Sequence, residues 1–285
     1  MKTPVKTIQS ALQEGRYQRS LALIAGMSGL LSGLEVTSEH YKGSFGQKVM
    51  YSPVMLSATL AGAGIAASID PKYARRILPT ASWLLILDGV TGFGFHIRGI
   101  SRKPGGWKNT VFNIVMGPPI FAPLLLGLGG FLGLTSVELL PEESARALSP
   151  EKREELKKGL AGATAVSALL NGSEAFYSHY KSGFSSRSQW IPVVLTPPLV
   201  FAGIHSIKND RTARTVLPLL SGLAIAAGSI GFGFHVRASL RRPRGLKLYN
   251  MIYGPPPLAP LLFAATGLLG ILASQLASPQ KDMAA

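Results

Sequence analysis

Gly92-Phe93-Gly94-Phe95-His96-Ile97-Arg98 returns 139 residues later as Gly231-Phe232-Gly233-Phe234-His235-Val236-Arg237. The match extends well beyond the phrase. At the same spacing Gly33 falls on Gly172, Glu35 on Glu174, and His40-Tyr41-Lys42 on His179-Tyr180-Lys181. Pro53 falls on Pro192, Arg75 on Arg214, Pro79 on Pro218 and Pro104 on Pro243. After a two-residue deletion, Asn113 matches Asn250, GPPIFAPLL from Gly117 matches GPPPLAPLL from Gly254, and Gly133 matches Gly270. The chain reads as one unit written twice.

Composition says where that unit lives. Only 15% of the 285 residues are charged, 47% are hydrophobic, and there are 32 Gly and 20 Pro. A soluble domain carries about 25% charged residues, and Gly and Pro are common in membrane-spanning helices. The fold expected is an all-α integral membrane protein. The net charge of +15 sits in short loops between apolar runs, which points to lipid head groups or acidic groups as partners and not to nucleic acid. With no cysteine, disulfides, thiolate metal sites and Cys-bound clusters are excluded.

A bilayer core takes about 20 apolar residues per helix. Eight stretches qualify: 19–40, 49–69, 74–97, 109–134, 158–179, 189–207, 213–236 and 247–274. Residues 1–18 form a polar segment suited to an amphipathic surface helix, and they lack a cleavable-signal pattern. The expected organisation is a four-helix repeat over 19–134, a linker over 135–157 with a short surface helix capped by Ser149-Pro150-Glu151, a second repeat over 158–274 and a tail over 275–285. Four spans return the chain to its starting side. The repeats should therefore run parallel, related by a pseudo-twofold axis along the membrane normal. Lys and Arg divide about 16 to 13 in favour of the side that carries the termini. That division places the termini in the cytoplasm, with a bacterial inner membrane as the expected location.

In this topology His40, His96, His179 and His235 all finish at one membrane face. Seven residues before each lies a glycine: Gly33, Gly89, Gly172 and Gly228. Gly92 and Gly231 add a second, four residues before His96 and His235. Imidazole is a common haem ligand, and a glycine track lets a flat macrocycle lie against a helix. The expectation is two b-type haems with His40, His96, His179 and His235 as axial ligands, paired either within the halves, His40 with His96 and His179 with His235, or across them, as His40 with His235. Arg98, Arg237, Lys42, Lys181, Tyr41 and Tyr180 follow closely and suit haem propionates, as do Arg102 and Arg241 further out. The likeness to membrane b-type cytochromes is one of chemistry alone: histidines on helices of a bundle. Glu35 and Glu174 lie inside spans, where an ionisable group is costly and often functional. They would orient an imidazole or take protons from a quinol.

On this reading the chain is a membrane electron-transfer subunit. It works with a redox partner subunit and the quinone pool, as a non-catalytic or quinone-reactive part of an oxidoreductase complex. Each feature also has a plainer explanation. Histidines anchor helix ends, glycines allow close helix packing, glutamates hydrogen-bond one helix to another, and prolines kink. Two alternatives follow: a transporter or channel whose site lies between the repeats at the Pro-broken helices, and a structural subunit that binds lipid or pigment. Asp88 and His205 have no counterpart in the other copy, where Ala227 and Ala66 stand, and belong to no repeated site.

Overall fold

The computed structural model describes residues 16–139, 149–243, 245 and 247–277. The expected surface helix before Arg16, most of the tail, and residues 140–148 of the linker lie outside them. Every regular element among the described residues is helical.

The first copy contains α1 (Arg16–Lys42), α2 (Ser52–Ile69), α3 (Pro71–Arg76), α4 (Leu78–Ser101), α5 (Thr110–Val115) and α6 (Ala122–Glu138). The second contains α7 (Pro150–Lys181), α8 (Trp190–Ser206), α9 (Asp210–Leu240), α10 (Leu248–Tyr253) and α11 (Ala259–Leu276). Single 3₁₀ turns precede α2, α5 and α8. Among the described residues, five helical segments are long and apolar enough to cross a membrane: α1, Lys48–Ile69, α4, α9 and α11. Large apolar side chains cover their outsides. Met55, Trp83, Leu87, Leu219 and Ile230 are all exposed, as lipid contact requires.

Three expectations change at the level of local chemistry. The linker's surface helix is not separate. Ser149 caps it by accepting the Lys152 N–H at 3.2 Å, and the helix then runs unbroken for 32 residues through the fifth apolar stretch. No proline follows Pro150 to stop it. The fourth and eighth stretches are not kinked helices but broken ones. Pro118 and Pro119 lack N–H groups, and residues 116–121 leave helical geometry between α5 and α6. Pro255, Pro256 and Pro257 do the same between α10 and α11. By contrast, Pro197 and Pro198 lie inside a continuous α8.

Helices pair closely where glycines remove side chains. A Cβ on Gly64 of α2 would stand 2.5 Å from the Gly26 nitrogen of α1. In lipid such close approach replaces the hydrophobic effect as the source of cohesion. The helices α1, α6, α7 and α11 meet at the centre, where the two copies join. Toward the chain termini this junction is apolar, with Leu21, Leu132, Leu160 and Leu276 fully or nearly fully buried. Tyr17 crosses it to donate to the Leu272 carbonyl at 2.7 Å. The Arg153 guanidinium reaches the Leu276 carbonyl at 2.8 Å, a favourable place for a cation at a helix C-terminus.

Candidate functional site at the junction of the two copies

The histidines sit at helix ends, and three share a bonding pattern. His40 points Nδ1 at the Met50 carbonyl at 2.7 Å. His96 points Nδ1 at the Pro119 carbonyl at 2.6 Å, and His235 points Nδ1 at the Pro256 carbonyl at 2.6 Å. A carbonyl can only accept, so each of these rings carries a proton on Nδ1 and points Nε2 away from that bond. Pro119 and Pro256 are the residues that break the two helices. His96 and His235 therefore brace the breaks from their own copies.

The glutamates brace the same breaks from the opposite copies. Glu174 of α7 accepts the Phe121 backbone N–H at 2.6 Å, and the Ala122 N–H also faces it. Phe121 is the N-cap of α6. Glu35 of α1 faces the backbone N–H of Leu258, the N-cap of α11. Breaking a helix creates N–H groups with no intrahelical acceptor. A carboxylate at a helix N-terminus supplies one, and its charge suits the helix dipole. The two contacts occupy equivalent positions, and each crosses from one copy to the other.

Directly beneath these caps lies a small cavity of about 30 Å³ between α1, α6, α7 and α11. Its lining comes in matched pairs from the two copies: Ser28 with Ser167, Ser32 with Asn171, and Gly129 with Thr266. Leucines of α6 and α11 complete it. On one side Ser167 and Thr266 hydroxyls lie 2.6 Å apart, and Asn171 donates to both at 3.2 and 3.1 Å.

The glycines expected to clear a slot for a macrocycle are occupied by helices instead. A Cβ on Gly33 would meet Ser57, and one on Gly172 would meet Thr196. Gly89 and Gly92 lie against α6 at Pro123, and Gly228 and Gly231 against α11 at Pro260. These six residues serve packing in this structure. The arrangement of ring partners is uneven. His179 and His235 lie edge to face with centroids 6.4 Å apart, and His96 is within electrostatic reach of His40. Arg98, Arg237, Tyr41, Tyr180 and Lys181 are exposed, and Lys42 pairs with Glu39 at 2.6 Å.

Several residues had no role in the sequence reading yet hold the site. Asn113 donates to the Pro104 and Gly106 carbonyls at 3.1 and 2.8 Å, and Asn250 donates to the Pro243 and Gly245 carbonyls at 3.1 and 2.7 Å. These amides tie the loops after α4 and α9 to α5 and α10. Their alignment in the two copies was the available signal. Ser28, Ser167 and Thr266 gave no signal, being ordinary in apolar helices. Asp88 accepts from Ser52 at 2.6 Å, joining α4 to α2. Ser52 and Asp88 become Ile191 and Ala227 together in the second copy. His205 contacts the Thr212 hydroxyl at 2.8 Å.

Among the described residues, no group of three or more His, Asp or Glu is placed to hold a metal ion. No family model, curated protein or solved structure matches this chain.

Proposed function

We propose that the protein is a membrane transporter with eight spans, built as two parallel four-helix repeats, and that its solute site lies on the axis between them. The broken stretches α5–α6 and α10–α11 each count as one span. The observation that carries this reading is the exchange of caps. Glu174 caps the α6 half-helix of the other copy, and Glu35 faces the α11 N-terminus in the matching place, immediately above a largely apolar cavity with a few polar groups lined by paired residues. Broken helices at the interface between repeats commonly build a transport site, and here the cavity lies beside the first turns of α6 and α11. The apolar packing of Leu21, Leu132, Leu160 and Leu276 closes the path on the side of the chain termini. The carboxylates and the cavity lie nearer the histidine face.

The chain contains no cysteine, so single cysteines can test the path without background. Ser28→Cys and Thr266→Cys should react with a membrane-impermeant thiol reagent added on the histidine side of vesicles. Phe201→Cys, on the outer surface of α8, should not. Cavity positions that stay unreactive from both sides, in detergent as well as in lipid, would contradict the proposal.

A second reading keeps one specific observation in its favour. Imidazoles on opposite sides of one metal ion, each about 2 Å from it, put ring centroids roughly 6 Å apart. His179 and His235 have that spacing, and the Nδ1 bond of His235 leaves its Nε2 free. On this reading the chain carries b-type haem and passes electrons at the histidine face. A reduced-minus-oxidised spectrum of the protein purified from haem-supplemented cells decides it. Haem bands lost in His235→Ala support it, and a colourless protein rules it out.

A further inference from the structure

The central cavity has hydroxyls that face its open space. Ser32 is 8% exposed and lines the space, and its hydroxyl has no hydrogen-bond partner among the described residues. The Ser28 hydroxyl beside it likewise has none. Asn171 uses its amide hydrogens on Ser167 and Thr266, which leaves its carbonyl oxygen for the cavity. A buried hydroxyl left without a partner is costly. A polar cavity needs about 10–15 Å³ to hold a water, and about 30 Å³ is present.

The carboxylates stand one turn away. Glu35 follows Ser32 by three residues on α1, and Glu174 follows Asn171 by three on α7. The capped residues Phe121 and Leu258 precede the lining residues Leu125 and Leu262 by four. Caps and cavity are therefore separated by about 5.4 Å along the axis, the reach of one or two waters.

Resting on the transport reading above, we propose that this cavity is a water site that delivers protons to Glu35 and Glu174, and that the ion coupled to transport is the proton. Each step adds a proton to a carboxylate, giving a neutral acid. The neutral acid no longer offers charge to the half-helix N-terminus, so the grip between copies loosens. The charged neighbours are known on each side. Glu35 faces Glu39 and Lys42 of its own helix and the Leu258 N–H of α11. Glu174 faces Lys181 of its own helix and the Phe121 and Ala122 N–H groups of α6. Lys181 in turn faces Glu39 and Lys103, and the four histidines flank the same end.

Infrared spectroscopy of the full chain in lipid nanodiscs tests this. Acidification should produce a carboxylic-acid carbonyl band that loses intensity in Glu35→Gln and in Glu174→Gln. On transfer to heavy water that band should shift at once. Filling the cavity with Ser32→Val, or with Ser28→Val if the first variant folds poorly, should slow the shift by about 5-fold or more. A band absent at every pH, or exchange just as fast with the cavity filled in folded protein, would overturn the proposal. The cysteine labelling above does not depend on these carboxyl bands, so either idea can fail alone.

Discussion

Glu174 and Phe121 are 53 residues apart in sequence and 2.6 Å apart in space, carboxylate to backbone N–H, across the junction of the two copies. That contact, with Glu35 facing the Leu258 N–H in the matching place, joins the first half of the chain to the second.

Removing the acceptor should weaken that unit. Glu174→Ala leaves the Phe121 N–H without its partner and should cost about 1–3 kcal/mol of stability. Glu174→Gln keeps an acceptor oxygen and should cost less. Thermal unfolding in detergent measures both.

The glycines of the repeated phrase should divide into two classes. A Cβ on Gly228 would stand 2.4 Å from the Pro260 carbonyl oxygen, whereas one on Gly233 meets nothing within 4 Å. Gly228→Ala should destabilise by forcing α9 from α11. Gly233→Ala should be neutral or stabilise by up to about 1 kcal/mol, the ordinary helical preference for Ala over Gly. Equal effects at both positions would mean that Gly228 is not at a packing contact.

His96 and His235 should behave as braces of the broken helices. His96→Ala leaves the Pro119 carbonyl without its donor and should lower stability by about 1 kcal/mol. His96→Asn, which can still donate, should recover part of the loss. A haem ligand would show the reverse pattern in a spectrum, with both variants losing the band together.

At the other end of the chain, Lys157 is buried between Glu154, at 2.9 Å, and Asp210. Burial alone would push its ammonium down. The hydrogen bonds that its ammonium donates to Asp210 and Glu154 outweigh burial, and the group titrates above its ordinary range. A raised lysine pKa stabilises the fold fully below the unfolded value of about 10.4 and is lost as pH rises through the higher folded value. Melting temperature should therefore not respond to this group up to about pH 10 and should fall beyond it. Asp210→Asn should lower the whole curve and flatten that alkaline fall.

Much of this was legible in the sequence. The helical, membrane-type character and the prolines that interrupt two stretches follow from spacing and composition. What Glu35 and Glu174 do was not legible, since each acts on a backbone N–H in the other copy, and no side-chain pattern marks such a partner. The glycines misled for a related reason. A glycine at fixed spacing says that something lies close, but a helix and a flat cofactor demand the same clearance. The Ser149 cap was readable, yet its helix ran on because nothing between Pro150 and Lys181 stops it.

The central claim is that a path opens between the two copies from the histidine face. Sided labelling of Ser32→Cys in sealed vesicles of known orientation tests it most directly. The account predicts reaction with an impermeant thiol reagent from the histidine side only, and loss of that reaction when Phe121→Cys and Glu174→Cys, first oxidised to a disulfide, lock α6 to α7. Reaction from the side of the termini alone, or labelling unchanged by the lock, would contradict it.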